Sequence, residues 1–435
     1  MNVSDTLLSI EENLTEGRLE SFQSAKAKAD ALLTELSLLE KSSDPDDLAL
    51  AVSVRTASGH VERALGNCRE SADQYEQAIA TLQRCSREVI TKREANLWTC
   101  HGLALLSAHS PKDWKSSILS FDEAITIRTN TRTSDETTGW GLSAGYLNKA
   151  DALNKIGGEE NLEEALNSLD LAIAILKDFN LETNQAFRSR LALAWMNKGN
   201  ILGRLSLDYP HDYRSESLNA YQSAVEILRK GQVEENTESR RMLAVALCNC
   251  SRARAQLEKD VDNEQIELEA RETLTLINED ELEDPEVAAL MLTTRITLCF
   301  SLGEKRADEI TDIVEDGLHQ IHPHTFSYQD PNDELLGHLF WCGANTYLNH
   351  YPQFLSEYLL EFLDPDTGNN HFAFSRGCQE AAVRVLWQAI ATCKSSGFGT
   401  GDAIEKKLSR IGEWQECRER LAEIRNRFFT TEPKE

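Results

Sequence analysis

A chain of 435 residues is longer than one compact core usually accommodates, which predicts several domains or an elongated repeat array. Hydrophobic residues make up 41% of the sequence and exclude wholesale disorder, while the scarcity of glycine (22) and proline (9) favours helix over strand. The net charge of −27 argues against nucleic acid as a main partner, because a surface this negative repels phosphates.

The first 48 residues are predicted to form a helical segment. They lack the basic and apolar regions of a signal peptide. No apolar run in the chain approaches the roughly 20 residues that a membrane span needs. The ten cysteines form no CxxC pair and lie beside apolar residues, as buried reduced thiols do. We therefore expect a cytoplasmic protein that contacts no membrane and carries no cofactor.

A repeat begins near residue 49. A small residue is followed 12 to 18 positions later by a second small residue, then by a bulky residue four positions on, and by alanine three positions after that. Such spacing predicts hairpins of two antiparallel helices, which approach closely only where side chains are small. Four copies are Gly59/Ser71/Tyr75/Ala78, Gly102/Ser117/Phe121/Ala124, Ala150/Ala165/Leu169/Ala172 and Gly199/Ser217/Tyr221/Ala224; weaker ones are Ser251/Ile266/Ala270/Thr273 and Arg295/Ala307.

This pattern resembles the tetratricopeptide repeat family over about residues 50 to 230, and more weakly to 321. Aromatic residues four positions before the small residue strengthen the resemblance: Trp98, Tyr146 and Trp195. The small-to-small spacings of 43 to 52 residues exceed the family's usual repeat, and the family's proline after the second helix is missing. The resemblance implies an all-α fold, an α-solenoid of antiparallel helix hairpins.

The expected organisation ends in a C-terminal region rich in aromatic residues. It reads as four helices, at about 334–349, 352–363, 374–396 and 402–428, that form either a helical cap for the solenoid or a docking region. The predicted domains are the N-terminal segment 1–48, the repeats 49–321, a linker 322–334 and the C-terminal region 335–435.

Asparagine recurs two positions before the small residue in three consecutive units. In arrays of the family that this chain resembles, the first helix of each hairpin lines the concave face, so these amides are expected to form a row that holds a peptide backbone. The alternative is that they bridge neighbouring helices and bind no ligand. The candidate groove residues are Asn148, Asp151, Lys155, Asn197, Asn200, Arg204, Asn249 and Arg252.

The segment "HQIHPHTF" raises the question of a metal site. Glu315, His319 and His322 share one face of a predicted helix, at a spacing that suits three ligands. That face is the solvated one, Pro323 then ends the helix, and no second ligand cluster lies nearby in the sequence. We expect a helix end followed by a linker rather than a metal centre.

The most consistent function is a non-enzymatic scaffold or adaptor that binds a peptide segment of a partner protein in the concave groove. An alternative is a regulator that responds to a peptide or effector, and a third is an enzyme or metal protein that uses the histidine-rich region 319–371. Residues 258–286 carry 13 carboxylates against two basic residues, which indicates a solvated face or a surface for a basic partner segment. The oligomeric state is left open.

Overall fold

The structure, a computed structural model, is all-α over the residues it describes. These residues are 3–42, 44–84, 87–131, 135–182, 184–231, 236–257, 261–303, 306–320 and 332–350, with Tyr358, Cys378, Ala381 and Val385. The chain divides into two compact units, Met1–Gly231 and Gln232–Glu435, here called unit 1 and unit 2. The predicted domain boundaries after residues 48, 321 and 334 stay predictions.

Unit 1 contains ten helices within its described residues. They are α1 (Val3–Thr15), α2 (Leu19–Leu39), α3 (Pro45–Ala64), α4 (Cys68–Leu82), α5 (Arg87–Leu106), α6 (Pro111–Asn130), α7 (Glu136–Ile156), α8 (Glu159–Lys177), α9 (Gln185–Asp208) and α10 (Arg214–Arg229). The pairs α3/α4, α5/α6, α7/α8 and α9/α10 are the four predicted hairpins. We call the first helix of each pair helix A and the second helix B.

Helix starts in unit 1 carry side chains that satisfy the free backbone N–H groups of the first turn. Asp135 accepts a hydrogen bond from the Thr138 backbone N–H at the start of α7, and Asn184 does the same for Phe187 in α9. Proline occupies the first helical position of α3 and α6, where no N–H is needed. A side-chain cap such as Asp135 or Asn184 stabilises the fold by about 1 kcal/mol.

Helices A and B approach so closely that three helix A glycines have no room for a side chain. The aromatic ring of helix B lies directly over each glycine, which is the contact the repeat pattern predicts. An added Cβ would lie 2.7 Å from Tyr75 at Gly59, 2.5 Å from Phe121 at Gly102 and 2.6 Å from Tyr221 at Gly199.

The helix B serine of two hairpins adds a polar link to this contact. Ser71 Oγ donates a hydrogen bond to the carbonyl oxygen of Gly59, and Ser217 Oγ donates one to that of Gly199, both at 2.7 Å. Both serines are buried, so the bond satisfies a hydroxyl that would otherwise be desolvated at a cost. Serine therefore serves as a small residue and as a tie between the two helices.

The N-terminal helices share a core with the first hairpin. Ile10 of α1 is fully buried in a cluster with α2 and α3. The α2 and α3 members are Ala25, Ala29, Leu32, Leu36, Ala51, Val54, Ala57 and Val61. Because α1 and α2 both contact α3, these N-terminal helices pack directly on the first repeat hairpin. The sequence shows no repeat pattern in the stretch before residue 48.

Unit 2 contains five α-helices and a short 3₁₀ helix within its described residues. They are α11 (Thr237–Ala255), α12 (Asn263–Thr275), the 3₁₀ helix Glu279–Glu283, α13 (Pro285–Leu302), α14 (Ala307–Gln320) and α15 (Asn332–His350). The worn repeat copy forms the hairpin α11/α12, and its members Ser251, Ile266, Ala270 and Thr273 are buried. Helix α15 matches the first predicted C-terminal helix, and the other three lie outside the described residues.

Helix α13 is buried in the core of unit 2. It is long and apolar enough to cross a membrane by length and composition, and more than half of its residues are buried, as is typical of a core helix. Arg295 of α13 donates hydrogen bonds to the Ile313 carbonyl and to Gln320 Oε1 of α14, and burial lowers its pKa. The faintest repeat copy thus places a buried arginine where the other hairpins have a small residue.

The described cysteines are free thiols. Cys68 and Cys100 of unit 1 are half-buried. The described cysteines of unit 2 are buried: Cys248, Cys250, Cys299, Cys342 and Cys378. The burial of the unit 2 thiols agrees with the packing that the sequence predicts for them.

Candidate functional site

A cleft of about 660 Å³ opens in unit 1 between α1 and the A helices α3, α5 and α7. Its volume lies within the roughly 300–1,000 Å³ of ligand clefts. Apolar residues of α1, α3 and α5 line one part, and hydroxyl, amide and guanidinium groups line the rest. The polar side chains are Glu11, Ser53, Thr56, His60, Arg93, Asn96, Thr99, Cys100, Arg128, Thr131, Thr137 and Thr138.

Helix α1 supplies the apolar wall of the cleft through Leu7, Ile10 and Leu14. Ile10 also belongs to the core that joins α1 to α3. The position of this wall therefore depends on the packing of the N-terminal helix against the first repeat.

Two arginines stand on the α5 side of the cleft. Arg128 reaches from α6 to α5, where its guanidinium donates to Thr99 Oγ1 at 3.0 Å and to Asn96 Oδ1 at 2.9 Å. Arg93 donates to Ser53 Oγ of α3 at 3.0 Å. All three acceptors are neutral, and burial lowers the pKa of Arg128 from its ordinary value. Arginine nonetheless stays charged at neutral pH.

His60 lies on the α3 wall and faces Tyr75 of α4. The two are joined by a hydrogen bond of 2.8 Å between His60 Nδ1 and the tyrosine hydroxyl. Burial lowers the pKa of His60, and the charge of Arg63 acts in the same direction, so a neutral imidazole is favoured. Burial likewise raises the pKa of the Cys100 thiol. Neither group has the perturbation of a reactive nucleophile or of a poised general base.

Trp140 borders the cleft on α7 and is fixed by Arg190 of α9. The guanidinium carbon lies 2.9 Å from the centre of the indole ring, and Arg190 donates to the Trp140 carbonyl at 2.7 Å. Burial lowers the pKa of Arg190 to about 10. This pair ties two successive A helices together at the rim of the cleft.

The predicted groove residues of α7 continue the face that lines the cleft. Thr137, Gly141 and Ala144 line it, and Asn148 and Asp151 follow at the same alternation of three and four positions. Residues at that spacing share one face of a helix. The structure therefore places Asn148 and Asp151 on the same face of α7 as residues that line the cleft.

Asn148 and Asn197 are both half-buried and sit on α7 and α9, which contact each other. Within the described part of the chain, neither side chain has a hydrogen-bond partner, so both amides remain available to a ligand. Asn249 is half-buried on α11 of unit 2 and likewise has no partner among the described residues, and Arg252 beside it is exposed. Their role in binding stays a prediction.

Two other groove candidates have partners that account for their presence. Asn200 accepts a hydrogen bond from the Tyr221 hydroxyl at 2.7 Å. Arg204 donates to the carbonyl and to the side-chain oxygen of Asn154 near the end of α7. These contacts match the alternative that polar groove residues bridge neighbouring helices.

Asp151 and Lys155 lie one turn apart on α7. Lys155 Nζ is 3.8 Å from Asp151 Oδ2. A surface ion pair of this kind contributes little to the free energy of folding. Partial burial raises the pKa of the Asp151 carboxyl, and Lys155 opposes that shift. Both groups remain accessible to a ligand at the end of the α7 face.

The three residues considered as metal ligands in the sequence are only partly within the described residues. His319 Nδ1 lies 2.7 Å from the carbonyl oxygen of Glu315, and the Glu315 carboxylate accepts a hydrogen bond from Tyr347. Among the described residues no group of three or more His, Cys, Asp or Glu side chains could hold a metal ion. His322 and most of the region 319–371 lie outside them.

The acidic stretch 258–286 is engaged by arginines of unit 2. In its described part, four carboxylates form ion pairs within the unit, which leaves them less free for a basic partner segment. The pairs are Glu267 with Arg271 and Arg306, Glu269 with Arg254, Glu281 with Arg240 and Arg241, and Asp284 with Arg241.

RapI has the same fold. Its apo form matches with a TM-score of 0.54 at 11% identity, over 97% of this chain and 98% of that chain. The apo form of the quorum sensor NprR from B. thuringiensis matches at 0.47 with 12% identity, over 97% and 99%. A Rap protein complexed with competence and sporulation factor matches at 0.42 with 13% identity, over 97% and 99%. The first likeness shows the fold alone, and the weaker two support no further conclusion.

The sequence itself matches no protein-family model and no curated protein. The hairpin architecture agrees with the tetratricopeptide resemblance. Membership of a sequence family is not shown.

Sequence reasoning missed the cleft and its arginines. Arg128 belongs to no recognisable sequence motif. Its hydrogen bonds to Asn96 and Thr99 form only when α5 and α6 pack together. One signal was available, since Ser53, Thr56 and His60 fall on one face of α3 at helical spacing.

Proposed function

We propose that this protein binds a short peptide in the cleft formed by α1, α3, α5 and α7, and that it does so without catalysis. The observation that carries the proposal is the cleft itself. It combines an apolar wall with hydroxyl, amide and guanidinium groups contributed by the A helices and by Arg128 of α6. Such a surface offers both burial for side chains and hydrogen bonds for a peptide backbone.

The length of the peptide follows from the spacing of helices. Directly packed helices lie about 8–10 Å apart, so the three A helices span at least about 20 Å. An extended chain covers about 3.3 Å per residue, so about six residues cross the cleft. We take the amides of Asn148 and Asn197 as backbone contacts for the part of the peptide that passes along α7 towards α9.

Of the two binding roles, a ligand-responsive regulator fits the cleft better than a passive scaffold. Helix α1 forms one wall, so a bound peptide contacts the N-terminal helix and three repeats at once. Binding then stabilises the docked position of α1 in proportion to the contacts made there. A partner that recognises α1 would respond to the peptide.

The direct test is a binding selection with full-length protein and a positional-scanning library of hexapeptides. We expect selected peptides to bind in a saturable manner and to slow amide hydrogen exchange in α1 and α5. Asn148→Ala/Asn197→Ala should weaken binding about tenfold or more, as loss of two hydrogen bonds predicts. Failure to select any peptide would sink the proposal.

A matched control exists on the B helices. Asn167 and Asn219 are exposed and each lies two positions after the small residue of its helix B. Asn167→Ala/Asn219→Ala should leave peptide binding unchanged. Equal losses in the two double variants would show that the effect is general and that the A-helix face is not the binding surface.

A further inference from the structure

The residues that line the cleft carry a net positive charge, whereas the protein as a whole is negative. The whole chain has a net charge of −27. Among the residues that line the cleft, Arg93 and Arg128 are permanent cations, and Glu11 is the single carboxylate. A concave surface with low-dielectric walls concentrates the field of such cations and attracts anionic groups.

Arg128 has free hydrogen-bond donors and no counter-ion among the described residues. Its guanidinium has five donors, and the two hydrogen bonds to Thr99 and Asn96 leave donors unused among the described residues. No carboxylate of the described residues lies within ion-pair distance of it. Partial burial without a counter-ion costs free energy, and a bound carboxylate would recover part of that cost.

A glycine makes room for this arginine. Gly141 lies inside α7, where glycine costs about 1 kcal/mol relative to alanine. A Cβ at that position would lie 2.9 Å from Arg128 Cδ and would collide with Nε. The absent side chain at Gly141 therefore lets Arg128 lie between α5 and α7 with its guanidinium at the cleft.

Resting on the proposed peptide-binding function, we propose that the cleft recognises a carboxylate of the peptide through the guanidinium of Arg128, with Arg93 as the second cation. The carboxylate is either the free C-terminus or an acidic side chain. Arginine suits this role because its fork of donors matches the two oxygens of a carboxylate.

The experiment compares hexapeptide libraries on the full-length protein by affinity selection and mass spectrometry. One library has free C-termini, a second is amidated, and a third is amidated and lacks Asp and Glu. Loss of retention on amidation assigns the C-terminus, and loss only in the third library assigns an acidic side chain. Equal retention in all three overturns the inference while leaving the proposed function intact.

Two variants distinguish the effect of the Arg128 charge from the effect of the position of its guanidinium. Arg128→Gln should weaken retention about tenfold or more, because it removes the charged partner of a hydrogen-bonded pair. Gly141→Ala keeps every charge and displaces the guanidinium, so it should weaken retention too, even if Arg128→Gln unfolds. Arg69→Gln is the control, because Arg69 is exposed on α4 and pairs with Asp113. Unchanged affinity in Gly141→Ala and in a folded Arg128→Gln overturns the inference alone, whereas no retained peptide overturns both proposals.

Discussion

The hydroxyl of Tyr221 donates a hydrogen bond to Oδ1 of Asn200, the residue that follows the close-packed Gly199. The first hairpin repeats the relationship, because Tyr75 contacts His60, which follows Gly59. The second and third hairpins have Phe121 and Leu169 in place of the tyrosine, and neither has a hydroxyl to satisfy. In the first and fourth hairpins, the residue after the small position of helix A therefore pairs with the tyrosine hydroxyl of helix B.

This pairing predicts a coupled loss of stability. Asn200→Ala and Tyr221→Phe should each lower the free energy of unfolding by about 0.5–1 kcal/mol, because each breaks one partly exposed hydrogen bond. The double variant should lose little more than either single variant. Urea denaturation of all four proteins measures the cycle, and strictly additive losses would contradict the pairing.

The glycine contacts predict different effects on stability for two substitutions in α9. Gly199→Ala should destabilise the protein by about 1–3 kcal/mol, because the added Cβ overlaps the ring of Tyr221. Gly203→Ala is the matched control one turn later, where the nearest atom, Ser217 Oγ, is 3.4 Å away. There the gain in helix propensity should leave stability unchanged or raised. Thermal unfolding of both variants distinguishes the two outcomes, and similar melting temperatures would refute the close packing.

The buried imidazole of His60 predicts a loss of stability in acid. Its pKa is lower in the folded protein than the usual value of about 6.5. Below that value the unfolded chain takes up the proton first, so the free energy of unfolding falls as pH drops from about 7.5 to 5. His60→Asn keeps an acceptor for Tyr75, as Asn200 does for Tyr221, and should reduce this dependence. An unchanged pH profile in that variant would place the acid sensitivity elsewhere, for instance at His101, whose pKa burial also lowers.

Unit 2 depends on a buried ion pair between α11 and α12. Arg254 lies 2.9 Å from Glu269, and their side chains are 12% and 7% exposed. Arg254→Met should cost about 3 kcal/mol, because it leaves a buried carboxylate without its partner. Arg254→Met/Glu269→Met should recover much of that loss. Chemical denaturation measures both, and a double variant less stable than the single one would contradict this account.

The sequence predicts the hairpins well because their packing is local and periodic. Gly59, Tyr75 and Ala78 lie within one hairpin, so their spacing reflects a contact between adjacent helices. Arg128 and its acceptors Asn96 and Thr99 meet about 30 positions apart, with no periodic signal. Such polar contacts depend on side-chain reach across helices, which a repeat pattern does not encode.

Polar groove residues show a further limit of the pattern. Asn197 and Asn200 look equivalent in the sequence, since both are asparagines on the predicted inner face. Oδ1 of Asn200 accepts a hydrogen bond from Tyr221, whereas Asn197 has no partner among the described residues. The difference arises from the hydroxyl of a residue on another helix, which only the folded hairpin reveals.

The thiols among the described residues differ in burial between the two units. Cys68 and Cys100 are half-buried in unit 1, while the described thiols of unit 2 are buried. An alkylating reagent reaches an enclosed thiol only when its surroundings open. Alkylation rates read out cysteine by cysteine would therefore time the opening around the buried thiols of unit 2. A peptide bound to unit 1 should slow the reaction of the half-buried Cys100, which lines the cleft.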